Sequence, residues 1–452
     1  MKLLNRKSLA TTPLRADVCA LIESAYEALD IEKTIARKIC LRGATLFVVG
    51  ARPTRVDVSR FRRLFVIGVG KGADVATIAL AGILGKRLTR AVAVSARSGA
   101  RLVPTSDRVE ILYGTHPEPS RANVRATEKI VSLLADADER DFVLFFIGGG
   151  GSSLLCGTER ERQAGCAIFP ALTKRGATIA EMNIVRKHFS EVKGGGLAQI
   201  AYPASSLSLI VSDVCGNDFG TIASGPTVYD TTTIADALHV LTRYGVSPRG
   251  LTFVETPKNK KIFSKTKTLL FACNQDAALA MVDRARQLGY AARITSLSLQ
   301  GEARMALVPL VQKIKKGEAF ICAGETTVHI RGNGTGGRNQ EAALGALEYL
   351  MRHRKETEGI AAASFGSDAY DNTPVAGALV DDAIADAAKK KKMSPAKFLA
   401  RNDSYHFFKK LGGHIRARRT AFNVSDLMVV IKRKEKRVFG MAGPKRNTHP
   451  TR

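Results

Sequence analysis

The sequence predicts an α/β protein built mainly on parallel sheet, with helices on both faces. Three observations carry this. Apolar runs of strand length alternate with helical patterns along the chain. Two of those runs, 63–69 and 141–147, pass directly into glycine turns and then into helical patterns, the βα unit of open α/β sheets. Residues 142–147 (FVLFFI) carry no polar side chain, as a strand covered on both faces requires.

The bulk numbers bound the rest. With 452 residues there is room for two domains or more. Apolar content of 45% and charged content of 24% fit a globular chain rather than a disordered one. No apolar run approaches the roughly 20 residues of a membrane span. The net charge is +28, supplied largely by the runs 258–267, 389–392 and 432–437. Such a charge fits nucleic acid or an anionic membrane. Aromatic residues do not interleave these runs as a base-stacking surface needs, so a solvated cationic surface that draws anionic metabolites is preferred. Neither nucleic acid nor membrane is therefore expected as a partner. The seven cysteines (Cys19, Cys40, Cys156, Cys166, Cys215, Cys273, Cys322) are odd in number, widely spaced and free of CxxC, which argues for a reducing compartment. The first sixteen residues are basic and lack acids. They read as a loose terminus or, weakly, as a mitochondrial leader. The expected location is the cytoplasm, with a mitochondrion or another organelle as the alternative.

In chain order, residues 17–41 show helical spacing. The strand at 63–69 ends in Gly68-Val69-Gly70-Lys71-Gly72, followed by a helix from Ala73. This turn is neither a P-loop nor a dinucleotide fingerprint, since GxxxxGK[ST] is absent and Ala73 stands where GxGxxG needs its third glycine. A cation at a helix start is unfavourable by itself, so Lys71 hints at an anionic partner. Strands follow at 91–94 and 110–113, then a Pro-stiffened loop with His116 and Glu118. The strand at 141–147 runs into Gly148, Gly149, Gly150 and Gly151, with Ser152 and Ser153 opening the next helix, a stronger anion signal than the first turn.

Residues 178–201 read as an amphipathic helix ending at glycines, with Asn183, Arg186, Lys187 and Lys193 as a cationic face. The strand at 207–211 ends at Asp213, with Asn217 and Asp218 close behind. Carboxylates past the carboxyl end of such a strand sit where open sheets bind ligands, and Asp213 suits magnesium. Composition shifts across 243–267, which reads as a boundary or insertion. Strands at 268–272 and 291–297 and helices at 274–288 and 303–316 lead to residues 321–344.

That stretch is a strand, the carboxylate Glu325, the glycine loop with Gly332, Gly334, Gly336 and Gly337, and Arg338 at the start of an alanine-rich helix. Glycines let backbone N–H groups crowd an anion, and Arg338 offers a planar fork to phosphate or carboxylate. A strand at 361–364 precedes Asp368 and Asp371, which suit a hard cation or a hydroxyl to be activated, or plain turns. Helices at 376–388, 394–400 and 402–411 and a strand at 426–431 complete the pattern before a basic tail. Cations at Lys71 and Arg338 with carboxylates at Asp213 and Asp368 suit phosphoryl transfer, which asks for positioning and charge more than covalent chemistry.

Eight ordered segments resemble the glycerate kinases of the MOFRL-containing type: GVGKGA, GTHPEP, FFIGGGGSSLL, MNIVRKHFSEVKGGGLA, LIVSDVCGNDFGTIASGPTVYD, AGETTV, GTGGRNQE and NDSYHFF. They extend over nearly the whole chain. The resemblance implies a Rossmann-like parallel-sheet domain at 14–245, a connecting α/β segment at 246–316 and a smaller MOFRL-type α/β domain at 317–435, with the active site in the cleft between. It implies ATP and Mg²⁺ as cofactors, D-glycerate as the small-molecule substrate and 2-phosphoglycerate as product, with 3-phosphoglycerate as the variant outcome, and it leaves room for a homodimer. Position by position it carries the family's lysine, arginine and two aspartates onto Lys71, Arg338, Asp368 and Asp213. On that frame catalysis is expected from Lys71, Arg338 and Asp368 and metal binding from Asp213 and Asp218, with the nucleotide expected against Gly148 to Ser153 and Gly336 and Gly337, and glycerate against Arg186 and Lys71. The chain departs from the family pattern at Ala369, where a glycine is usual, at Asn217, where a carboxylate is usual, near Asn372, where a further aspartate is missing, and across 418–424. The competing readings are a hydroxypyruvate reductase, which needs the fingerprint that Ala73 breaks, and a non-catalytic anion- or nucleic-acid-binding protein.

Overall fold

The computed structural model describes residues 3–50, 53–96, 102, 104, 106–214, 216–249, 251–420 and 423–434. Cys215, Ala421, Phe422 and the basic tail from 435 lie outside the described residues.

A small antiparallel sheet comes first: β1 (Ile39–Arg42), β2 (Thr45–Val48) and β3 (Thr54–Asp57). The expected helix over 17–41 divides to make room for it. One helix spans Pro13–Ala28, and Asp30 caps a second, Ile31–Lys38, by accepting the Lys33 N–H at 3.0 Å.

Six strands then form a sheet that is parallel throughout: β4 (Arg63–Val69), β5 (Arg90–Ala96), β6 (Val109–Gly114), β7 (Asp141–Ile147), β8 (Ser205–Val211) and β9 (Thr266–Ala272). Their order is β6-β5-β4-β7-β8-β9. The chain winds one way from β4 and the other way from β7, so the topological switch point lies between these two strands. Open sheets bind ligands there, beyond the carboxyl ends. β7 is buried at every position, as its lack of polar residues predicts.

The second sheet departs from the expected parallel architecture. It holds β10 (Ala291–Leu299), β11 (Glu318–Gly324), β12 (Ile360–Gly366), β13 (Gly377–Asp381), β14 (His414–Ile415) and β15 (Asp426–Lys432), in the order β10-β11-β15-β12-β13-β14. Only β10 and β11 pair in parallel. The last strand, β15, inserts between β11 and β12 and runs against both. Its DLMVVIK run is buried on both faces up to Ile431, so it belongs in the middle of a sheet. Nothing local in the sequence sets its direction.

The amino-terminal residues correct the expectation of a loose terminus. Leu3 and Leu9 are buried. Arg15 sends Nε and Nη2 to the buried Asp381 at 2.7 and 2.8 Å. Tyr26 packs on Phe365 with ring centroids 5.5 Å apart and donates its hydroxyl to the Gly366 carbonyl at 3.0 Å. Helix Pro13–Ala28 thus packs with the second sheet. The expected connector 246–316 serves both sheets, supplying β9 to the first and β10 to the second, with helix Asn274–Gln287 packed on Pro13–Ala28. The expected single helix at 178–201 is two, Ile179–Lys187 and Gly196–Ala201, with a turn between.

Candidate active site

The turns after β4 and β7 are zipped together at the switch point. The Gly148 N–H donates to the Val69 carbonyl and the Lys71 N–H to the Gly149 carbonyl, both at 2.8 Å. The glycine run has a steric reason here. A Cβ on Gly149 would run into the Asp213 carboxylate, and one on Gly150 would stand 3.0 Å from the His116 ring and 3.5 Å from the Lys71 side chain. Lys71, Asp213 and His116 therefore converge on one turn. Ser152 and Ser153 are already engaged. Ser152 shares a hydrogen bond with Ser224 at 2.8 Å, and the Ser153 hydroxyl donates to the Gly150 carbonyl at 3.2 Å.

Asp213 follows β8. Among the described residues its carboxylate makes no side-chain hydrogen bond or ion pair. Desolvation raises its pKa, while Lys71 pulls it down and Glu325, from the second sheet, pushes it up. The Asp213 carbonyl accepts the Ser425 hydroxyl at 3.1 Å, so the end of β8 touches the start of β15.

On the second sheet, Arg338 opens helix Arg338–Arg352. It forks onto Asp426, Nε to Oδ2 at 2.5 Å and Nη2 to Oδ1 at 3.3 Å, and its Nη1 reaches Glu325 at 2.8 Å. Gly324 of β11 and Asp426 of β15 are register partners, which sets the two acids side by side. Asp426 is buried, and desolvation pushes its pKa up to about 6 although Arg338 opposes the shift. Desolvation works against the Arg338 charge, but the pull of Asp426 and then Glu325 outweighs it and raises that pKa.

The expected phosphate cradle at residues 332–338 is altered by Asp371. Its buried carboxylate accepts the backbone N–H groups of Asn339 and Gln340 at 3.1 and 2.9 Å, together with their side-chain amides. The helix N-terminus is thus already capped by an anion from the chain itself. A Cβ on Gly336 would strike Ser404 and one on Gly337 would strike Asp371, so these glycines allow close packing. Both still line a cavity of about 420 Å³ that includes Arg338.

Asp368 stands across a smaller cavity of about 160 Å³ from Arg338 and Asp426. Its Oδ1 accepts the Tyr370 N–H at 3.1 Å. Ala369, at the family's glycine position, holds φ = +61°, and Asn217 and Asn372 also adopt positive φ, which asparagine tolerates better than most residues. Two described residues of the altered segment reach this loop: the Thr420 N–H donates to the Asp368 carbonyl at 3.2 Å, and the Arg419 guanidinium sits 4.2 Å over the Tyr370 ring.

The cationic face expected around 183–193 is mostly neutralised. Lys187 pairs with Asp230 at 2.9 Å and Lys193 with Glu161. Arg186 has no acid partner among the described residues. Its guanidinium lies 4.5 Å over Phe169, and desolvation lowers its pKa. It lines a cavity of about 700 Å³ with His116 and Gly150. Desolvation first, then the charges of Lys71 and Arg186, bring the His116 pKa down to about 4. Asp218, expected at a metal, is exposed and spends its carboxylate on the Gly220 N–H at 3.1 Å and the Thr221 hydroxyl at 2.5 Å.

Among the described residues no three His, Cys, Asp or Glu side chains gather as a metal cage. Magnesium in nucleotide enzymes is commonly held by one or two carboxylates and completed by phosphate oxygens and water. Asp213, half-buried and without a side-chain partner among the described residues, fits that role.

Sequence reasoning missed Asp426, the acid that grips Arg338. Its only local signal is an acid opening an apolar strand. The capping role of Asp371 was also hidden, since its partners lie some thirty residues upstream.

Comparison with known proteins places the chain in a family. Residues 17–254 match a family model described as a domain of unknown function, DUF4147, and residues 318–426 match the MOFRL family. The D-glycerate 2-kinase of Thermotoga maritima is 37% identical over 81% of this chain and 90% of its own. A putative hydroxypyruvate reductase of Agrobacterium vitis is 35% identical over 82% of this chain and 87% of its own. The crystal structure of a glycerate kinase from Thermotoga maritima superposes with a TM-score of 0.77 at 31% identity, covering 91% of this chain and 97% of that one. The chain belongs to the MOFRL-type glycerate kinase family.

Proposed function

We propose that this protein transfers the γ-phosphoryl group of ATP to D-glycerate, with Mg²⁺, and yields 2-phosphoglycerate. The observation that carries the reading is the group of charges gathered from the two sheets: Asp213, whose carboxylate feels both Lys71 and Glu325, and Arg338, which is held by Glu325 and Asp426. Cations and carboxylates thus gather beyond the carboxyl end of a parallel sheet. That is the equipment for placing a phosphoryl group between donor and acceptor.

In this mechanism the glycerate O2 hydroxyl attacks the γ-phosphorus. The bond to the β–γ bridging oxygen breaks, and ADP leaves with that electron pair. Asp368 takes or orients the hydroxyl proton. Lys71 and Arg338 stabilise the charge on the transferring group, and the backbone around Gly148 to Gly151 lies beside the phosphates. A magnesium bound at Asp213 would neutralise phosphate charge. Asp218 is left outside this set because its carboxylate is committed to its own turn. The two sheets act as the walls of one cleft, a reading supported by the contact of Ser425 with Asp213.

The reductase reading has the name of one relative behind it. It has no fingerprint in the chain, since the turn after β4 carries Ala73 at the third glycine position. The test is D-glycerate-dependent ADP release by the full chain, with NADH oxidation by hydroxypyruvate as the competing assay. Glycerate-dependent release that is lost in both Lys71→Ala and Arg338→Ala supports the kinase. Near wild-type release in both variants contradicts the assignment.

A further inference from the structure

We infer that the cavity of about 700 Å³ beside Arg186 holds the nucleoside end of the phosphoryl donor, with Arg186 on the donor's phosphates. This inference rests on the kinase reading. It places Arg186 with the nucleotide, in place of the glycerate carboxylate that the sequence suggested.

Size excludes the smallest of the site's cavities from holding a nucleoside, and leaves those of about 700 and 420 Å³. Cavities that enclose molecules of nucleotide size run from about 300 to 1,000 Å³. The cavity between Arg338 and Asp368 measures about 160 Å³ and is lined almost wholly by polar groups. It suits a three-carbon hydroxy acid and is too small for a nucleoside. The cavity of about 700 Å³ has the mixed chemistry that a nucleotide asks for. Its lining combines the polar groups Arg186, His116 and Ser152 with the apolar side chains of Phe169, Pro170 and Ile179, and Arg186 itself lies over the Phe169 ring. Ile179 leaves 53% of its surface exposed at the rim, an apolar side chain that a stacked base would cover.

Charge points the same way. Lys187 and Lys193, the neighbouring cations, are each paired with a buried acid. Among the described residues Arg186 is held over Phe169 without one, so its charge is available to an anion from outside the chain. His116 is neutral at pH 7, which leaves it a hydrogen-bonding group rather than a second cation at the cavity mouth. That mouth is shared with the Lys71 turn, because Gly150 lines the cavity and its missing Cβ would approach both His116 and Lys71. A nucleotide whose base lies against Ile179 and whose α- and β-phosphates meet Arg186 would direct its γ-phosphate toward Lys71.

Two variants test this in the full chain. Ile179→Glu puts a carboxylate at the cavity rim, at the first position of a helix where an acid is well tolerated. Cys166→Trp fills the cavity from helix Glu159–Lys174. The readouts are KM for ATP, KM for D-glycerate, and ADP affinity by calorimetry without glycerate. Both variants are expected to raise KM for ATP and weaken ADP binding at least about tenfold, with KM for glycerate within about twofold and the thermal midpoint of Ile179→Glu unchanged. Unchanged ATP and ADP parameters in both variants, or a rise confined to KM for glycerate, overturns the inference while leaving the kinase reading intact. Wild-type protein that binds ADP but transfers no phosphate to glycerate overturns the kinase reading instead, and the ADP affinities of the variants still decide the cavity.

Discussion

Asp426 holds Arg338 through both carboxylate oxygens, at 2.5 and 3.3 Å, from a position only 2% exposed. Asn339 adds a third tie, donating its side-chain N–H to Asp426 Oδ1 at 2.8 Å. A guanidinium fixed in this way enters the reaction without reorganising, which is where electrostatic catalysis gains most. Asp426→Asn keeps the shape and removes the charge. Loss of the fork should let Arg338 drift by the order of an ångström and lower kcat about 100-fold, with KM for ATP within about threefold. Steady-state kinetics of the variant check this.

The pH dependence follows from the same carboxylate. Its pKa is raised to about 6, so it is ionised and holds the fork at neutral pH, and it takes up a proton as pH falls through that value. kcat should decline below pH about 6, and the decline should vanish in Asp426→Asn. Stability should move the other way. A carboxylate raised in the folded state binds its proton more tightly there, so its favourable contribution is complete at low pH. That contribution is lost as pH rises from the ordinary aspartate value through about 6. Asp213 and Asp371 are shifted in the same direction and share that stability limb. Thermal midpoints measured from pH about 4 to 8, with kcat over the range in which the enzyme stays folded, separate the two trends.

Arg338 should matter to the chemical step more than to nucleotide affinity. Arg338→Ala is expected to lower kcat by about 10³-fold or more, with a much smaller rise in KM for ATP. Arg338→Lys should not restore the rate, because a point charge cannot reproduce the fork onto Asp426. Single-turnover phosphoryl transfer at saturating ATP is the decisive readout.

Ala369 carries a backbone cost. At φ = +61° its Cβ crowds the following carbonyl, a conformation that glycine adopts freely. Ala369→Gly should stabilise the protein by about 0.5–1 kcal/mol, read as a shift in denaturant midpoint. Activity should hold, since the residue lies beside Asp368 without a group of its own to offer.

How much of this was legible in sequence depends on how local each signal is. β4, β7, Lys71 and the Gly148–Gly151 turn declare themselves within a dozen residues, because an apolar run, a glycine turn and a helical pattern are all short-range features. Helix Arg338–Arg352 does so for the same reason. The partner of Arg338 does not: Asp426 lies 88 residues on and meets it only because β15 enters the centre of the second sheet. The glycine loop 332–337 was readable as a tight loop, yet its tightness serves packing against residues 401–404 and the Asp371 cap as much as any ligand. Arg186 and its two neighbouring lysines look alike in sequence. Only the fold supplies acids to the lysines and, among the described residues, none to the arginine.

The most direct test of the central claim is the ³¹P NMR spectrum of the product formed by the full chain from ATP, Mg²⁺ and D-glycerate. The account predicts a new phosphomonoester resonance that matches authentic 2-phosphoglycerate, together with the resonances of ADP. A spectrum with no new phosphomonoester, or with ATP unchanged beside glycerate, would contradict it.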